Sequence, residues 1–215
     1  VKGVLPILIS AKEKGYDKVI LPKANALEAC YIDGIKVYAC SSLREVVDFL
    51  NGETEIQPVQ TKSLSAANTH YNEDFKFVKG QYITKRALEI DAAGGHNILM
   101  VGPPGAGKTM LARCIPTILP DMTLDEALET TKIHSVAGIL DENEGIVSRR
   151  PFRSPHHTMS SIALTGGGAM AKPGEMSLAH NGVLFLDEMP EYSRVTLENL
   201  RQPIEDGVIT ISVSY

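Results

Sequence analysis

The stretch Gly102, Pro103, Pro104, Gly105, Ala106, Gly107, Lys108, Thr109 fits the spacing G-x-x-x-x-G-K-[ST], and each residue type in it has a task in holding phosphate. Glycines at 102, 105 and 107 admit backbone angles at which successive N–H groups converge on phosphate oxygens. Lys108 has the reach to meet β- and γ-phosphates, the Thr109 hydroxyl is a ligand for Mg²⁺, and Met110, at the start of the helix that follows, completes the nucleotide-binding set. Further along, "NGVLFLDEMPE" sets four apolar residues, Val183 to Leu186, directly before Asp187 and Glu188. At the end of a strand beside a phosphate loop, one acid holds the Mg²⁺ shell and a second orients and activates water. Asp187 and Thr109 are therefore read as metal-holding groups and Glu188 and Lys108 as catalytic ones, with ATP and Mg²⁺ as the cofactors. The paired acids separate this pattern from kinases that pass the phosphoryl group to a small acceptor, and they favour an ATP-driven motor.

Such a loop works only between a strand that leads in and a helix that leads out. "NILMV" predicts that strand and "KTMLARCI" that helix. Ahead of them, Ile83, Ala87, Leu88 and Ile90 form a helical stripe. Gln81, in "VKGQ", carries two readings, a neighbour of the adenine or an ordinary residue at a helix start. Thr123 and Glu126 fit a capping box for "LDEALETTKIH".

The first fifty residues are patterned differently. A helix is expected over "VLPILISAKEKG", ended by Gly15, then a strand at "DKVILP", a short helix at "NALEAC" and a strand at "IKVYAC". "SSLREVVDFLNG" predicts a helix capped by Ser42, with Leu43, Val46, Val47 and Leu50 on one face. From Glu53 to Asp74 the composition turns polar without periodicity, as in a linker. The expected organisation is an amino-terminal domain over 1–52, a linker over 53–74 and a nucleotide-binding α/β domain with a parallel sheet over 75–215.

At 215 residues and 43% hydrophobic content, the chain has enough apolar material for a core. A net charge of −5 excludes binding to polyanions through overall basicity, so a nucleic-acid contact has to come from a local patch. "RRPFRSPHHTMSSIALTGGG" is such a patch, since no Asp or Glu falls between Gly145 and Gly174. Arg149, Arg150 and Arg153 either pair with acids, such as those at 141–144, or face DNA or a neighbouring subunit. His156, His157 and His180 make a poor zinc set, because adjacent strand residues point to opposite faces and no Cys or carboxylate cluster completes it. With Glu188 in the role of base, His156 is not needed for it. Three cysteines in no paired spacing argue against a disulfide scaffold and for a cytoplasmic protein. No apolar run reaches membrane-spanning length, so no membrane partner is expected.

The blocks "FKFVKGQ", "GGHNILMVGPPGAGKTMLAR", "TTKIHSVAG", "RRPFRSPHHTMSSIALTGGG", "PGEMSLAHNGVLFLDEMPE" and "LENLRQPIEDGVITIS" together resemble the magnesium-chelatase-like AAA+ ATPases, most of all their ComM (YifB) subgroup. The resemblance runs from about Phe75 to the end. It implies a P-loop NTPase core, a ring-shaped homo-oligomer, a hexamer, and helicase-like branch migration of DNA during natural transformation. The first fifty residues resemble part of that family's front domain, which has the fold of the Lon protease domain (ribosomal S5 domain 2-like). Lon proteases carry a catalytic lysine in the first helix, where Leu5 and Ile7 stand here. The resemblance therefore implies an interaction or scaffold module rather than a peptidase. A complete front domain of that kind would run to roughly twice the length seen before the linker, so Val1 is expected to be an internal start, unless a lost Met precedes it. By the same resemblance a sensor asparagine, an arginine finger and a helical lid are expected beyond Tyr215. Two other functions stand beside DNA remodelling: the motor subunit of a chelatase that inserts Mg²⁺ or Co²⁺ into a tetrapyrrole, and a nucleotide-binding module without turnover of its own.

Overall fold

The computed structural model describes residues 3–62, 73–141, 145–168 and 171–206, a mixture of helices and short strands. They run α1 (Val4–Glu13), β1 (Lys18–Pro22), α2 (Ala26–Ala29), β2 (Lys36–Cys40), α3 (Leu43–Leu50), α4 (Tyr82–Gly94), α5 (Lys108–Cys114), α6 (Leu124–Ala137), β3 (Phe152–Arg153), α7 (Ser161–Thr165), β4 (Gly166–Gly167), β5 (Lys172–Pro173), α8 (Glu175–Leu178), β6 (Val183–Leu184) and α9 (Arg194–Asp206). Residues 63–72 of the expected linker, the acids at 142–144 and residues 207–215 at the end of the last matching block lie outside the described residues. The chain forms two compact units, one from residues 1–67 and 123–148, the other from 68–122 and 149–215.

The first unit is organised by α1, whose Val4, Leu5 and Leu8 are buried against Leu21, Ala29, Ile32 and Val37. Strands β1 and β2 pair in parallel, Lys18 opposite Lys36 through Pro22 opposite Cys40. Leu5, which the resemblance to Lon-type domains sets near a lysine position, is 1% exposed. A charged amine there would lose its hydration without a partner. Helix α3 forms where the sequence places it, with the Ser42 hydroxyl accepting from the Glu45 N–H. Its apolar face is nevertheless not buried: Leu43, Val47 and Leu50 are exposed.

Helix α6 also belongs to this unit, although it lies after the phosphate loop in sequence. Its buried face is Ala127, Thr130, Thr131, His134 and Ser135, small and polar rather than apolar. Hydroxyls can be buried because each finds a partner. Thr131 donates to the Ala127 carbonyl at 2.6 Å and accepts the Val147 N–H at 2.8 Å. Ser135 accepts the Gly3 N–H and donates to Glu28, both at 3.1 Å. The capping box forms in full, with Thr123 Oγ1 accepting from the Glu126 N–H and Glu126 Oε2 from the Thr123 N–H. Thr123→Ala is expected to destabilise the chain by about 1 kcal/mol without altering nucleotide affinity, read as a lower urea midpoint at unchanged slope.

The second unit packs α4 and α5 around Leu88, Leu111, Ala112, Cys114 and Ile115, with Phe75 and Val78 closing the cluster. Thr117 ties the chain ahead of α4 to the end of α5: its hydroxyl accepts the Phe75 N–H at 3.1 Å and donates to the Cys114 carbonyl at 2.7 Å. Of the stripe expected on α4, Leu88 alone is buried, while Ile83 is 90% exposed. The expected strand over "NILMV" does not form; Met100 packs on the core, whereas Leu99 and Val101 are exposed. An extended apolar run becomes a strand only when a neighbour takes its backbone hydrogen bonds, and no described strand lies beside this one. The run before Asp187 does pair, over Val183–Leu184 rather than all four residues, in parallel with β3: Phe152 lies opposite Val183 and Arg153 opposite Leu184. Phe152 and Phe185 stack across the pair at 6.2 Å.

Candidate nucleotide site

Two stretches far apart in sequence meet in the second unit through one side-chain bond. Thr109 Oγ1 donates to Asp187 Oδ2 at 2.8 Å. The other oxygen of Asp187 accepts the Glu188 backbone N–H at 3.0 Å, so both ends of the carboxylate are fixed. A hydroxyl and a carboxylate converging this way are hard oxygen donors, the set that suits Mg²⁺ rather than a thiophilic metal. The residues therefore fit the cation that the sequence implies.

The loop that precedes Thr109 has the backbone expected of a phosphate cradle. Gly105 (φ 76°) and Gly107 (φ 82°) are left-handed, and a methyl at either would meet the backbone penalty rather than a wall of atoms. Lys108 turns its ammonium onto the loop, donating to the carbonyls of Gly102 at 2.9 Å and Pro103 at 3.0 Å. Pro103, Pro104 and Gly105 are open to solvent, Ala106 is half-buried, and Met110 is exposed at the start of α5. A phosphate entering the loop would replace those carbonyls as the partner of Lys108.

Glu188 departs from ordinary backbone, with φ 52° in a residue that has a side chain. Such strain collects at functional sites because the surroundings over-determine the conformation. Its carboxylate is largely exposed, and one oxygen lies 3.2 Å from His157 Nδ1. Gln81 stands apart from this contact set. It precedes α4 with φ 54°, is exposed, and its carbonyl accepts the Lys85 N–H at 2.8 Å, a helix-start geometry.

Arg153 and Arg150 of the arginine-rich stretch are both held by partners within the chain. Arg153 makes a bidentate pair with Glu175, Nε to Oε2 at 2.6 Å and Nη2 to Oε1 at 2.7 Å. Those bonds push its already high pKa further up against partial desolvation. Arg150 caps two carbonyls, Pro120 at 2.6 Å and Asn181 at 2.8 Å. For Arg153 the acid partner is therefore Glu175; residues 142–144 lie outside the described residues.

The two adjacent histidines correct the sequence reasoning. They follow β3 instead of lying in it, and their rings are in contact at 4.1 Å rather than on opposite faces. His156 Nδ1 engages the Thr158 hydroxyl at 2.9 Å. His157, set aside in the sequence reading, reaches Glu188. The signal that could have found it is strand order: a strand parallel to the acid-bearing one carries its own next residues to the same end of the sheet. Tyr192 closes the group, donating its hydroxyl to the Pro155 carbonyl at 2.7 Å. Burial pushes the Tyr192 phenol above its usual range, and the Asp187 charge adds to the shift.

Comparison with known proteins bears on the same residues. The family model described as magnesium chelatase, subunit ChlI, matches residues 74–215. Competence protein ComM of Haemophilus influenzae is 47% identical over 219 residues, covering 99% of this chain and 42% of that protein. YifB of Escherichia coli is 47% identical over 214 residues, covering 98% of this chain and 42% of that protein. The Holliday junction branch migration complex subunit RuvB of Thermosipho melanesiensis is 30% identical over 136 residues, covering 63% of this chain and 30% of that protein. The chain thus spans less than half the length of each of these relatives. Among the described residues no helix is long and apolar enough to cross a membrane.

Proposed function

The chain belongs to the family of magnesium chelatase subunit ChlI, within the AAA+ proteins, and we propose that it binds ATP with Mg²⁺ and hydrolyses it as the motor part of a DNA-remodelling protein. The observation that carries this reading is the bond between Thr109 and Asp187, which joins the phosphate loop to the acidic strand end. In the proposed reaction Lys108 leaves the Gly102 and Pro103 carbonyls for the β- and γ-phosphate oxygens, and the loop N–H groups take the rest. Thr109 and Asp187 would hold Mg²⁺, which when bound neutralises charge on the phosphates. Glu188 accepts a proton from water as its oxygen bonds to the γ-phosphorus and the bond to the β–γ bridging oxygen breaks, leaving ADP and phosphate. The 47% identity to competence protein ComM along 99% of the chain supports the DNA reading, as does the junction branch migration in the name of RuvB. Arg150 and Arg153 are held by partners within the chain. A homo-oligomeric ring, hexameric by the family resemblance, is part of the same proposal. So is a Lon-like fold for the front unit, in the role of an interaction module, which a buried Leu5 in place of a lysine favours.

A second reading, the motor of a metal chelatase, rests on the description of the matching family. Steady-state ATP hydrolysis by the full-length protein, with and without branched or single-stranded DNA at low salt, separates the two. DNA remodelling predicts rates stimulated several-fold by DNA, a gain that disappears as salt rises to about 200 mM because phosphate contacts are lost. A protein that hydrolyses ATP but neither binds DNA nor responds to it, and that captures a large tetrapyrrole-binding partner, would belong to the second reading.

A further inference from the structure

We propose that His157 is a positioning residue for Glu188, fixing the carboxylate that is read above as the water-activating group. His157 Nδ1 lies 3.2 Å from one oxygen of Glu188, and because a carboxylate oxygen accepts, the ring can hold it through this nitrogen only in the form that carries the proton on Nδ1. The fold brings the two side chains to this distance. Parallel pairing sets the register: the Val183 N–H donates to the Pro151 carbonyl and the Phe185 N–H to the Arg153 carbonyl, each at 2.8 Å. The bidentate bond from Arg153 to Glu175 holds the end of β3, and the Tyr192 hydroxyl holds Pro155 two residues ahead of His157. The imidazole then rests against the His156 ring at 4.1 Å and meets Tyr192 edge-on at 6.4 Å.

A base works best when a third group orients it, and Glu188 lacks one on its own strand end. Its backbone is strained, its side chain is 65% exposed, and its own N–H is engaged by Asp187. Left alone, such a carboxylate would sample several rotamers, and a base displaced by about 1 Å can slow a reaction on the order of 10²-fold. His157, with two side-chain torsions and a packed ring, restricts that sampling at small entropic cost.

The proposal rests on the hydrolytic reading of Glu188, and the test separates the failure of each. Turnover and Mg²⁺-ATP affinity are measured on the full-length wild type, E188Q, H157A, H157F, H157N and the double variant H157A/E188Q. H157A and H157F are expected to lose turnover by about 10- to 100-fold with affinity unchanged. H157N is expected to recover most of it, because the asparagine Nδ2 takes the place of the imidazole Nδ1. The double variant is expected to be no slower than E188Q, since both changes act through one group. H157F turning over at the wild-type rate would show that ring packing suffices and overturns the proposal alone. So would a fall in H157A matched by an equal loss of affinity, an H157N as slow as H157A, or losses that add in the double variant. A wild type without turnover, or one insensitive to E188Q, removes the hydrolytic reading and this inference with it.

Discussion

Glu188→Gln is expected to slow ATP turnover by the full-length protein about 10²- to 10⁴-fold, the range over which a positioned general base acts, while leaving Mg²⁺-ATP affinity within about threefold of wild type. The amide has the size of the carboxylate but cannot take a proton from water. Binding should survive because Glu188 is not part of the contact between the loop and the metal-holding acid, which runs from Thr109 to Asp187 Oδ2. The bond from the Glu188 N–H to Asp187 Oδ1 is a backbone bond and is kept. Stability should change little, since the side chain is largely solvated and no buried charge is removed. Single-turnover hydrolysis with equilibrium binding of ATP checks both halves. Lys108→Ala and Asp187→Asn supply the contrast, as each removes a group proposed to touch the phosphates or the metal and should weaken binding itself. Equal losses of turnover and affinity in E188Q would mean that the carboxylate helps hold the nucleotide instead of activating water.

The candidate groups on which that prediction turns were legible in the sequence because the loop is local. The order of Gly105, Gly107, Lys108 and Thr109 carries both the left-handed backbone and the side chains, and the one long-range contact needed, to Asp187, follows from the strand that ends there. Other features depend on partners that sequence spacing does not name. Helix α3 has a strong apolar stripe and a correct cap, yet its stripe is exposed. Helix α6 has almost no stripe and is well buried, because Thr130, Thr131 and Ser135 satisfy their hydroxyls within the unit and through them pack against backbone. Periodicity reports where apolar surface is available, whereas burial is decided by what meets it. "NILMV" shows the same limit, an apolar run with strand chemistry and no described neighbour to complete its hydrogen bonds. His157 was missed for a related reason: its role is visible only once β3 is placed in parallel beside β6, so that the residues after one strand reach the acids after the other.

The parallel pairing of β3 and β6 makes Gly182 a position where a single methyl should do severe damage. A Cβ there would sit on the Pro151 carbonyl oxygen and lie 2.7 and 2.8 Å from the Pro151 ring carbons. A backbone oxygen and a proline ring cannot rotate aside, so the strands themselves must separate. The oxygen in question accepts the Val183 N–H, the first bond of the pair. Gly182→Ala is therefore expected to destabilise the second unit by about 3 kcal/mol, the upper part of the usual overpacking range, and to lower its melting temperature on the order of 10 °C. Gly95→Ala provides the comparison: nothing lies within 4 Å of its Cβ, and only the left-handed backbone (φ 61°) opposes the methyl, at about 1 kcal/mol. Thermal melts of the two variants should thus differ clearly in size. Near-equal shifts would show that the strands open at little cost, and that Pro151 and Gly182 do not set the register. If the register is set there, whatever Gly182→Ala protein stays folded should lose turnover more than affinity, because displacing β3 moves His157 from Glu188 while Thr109 and Asp187 keep their bond.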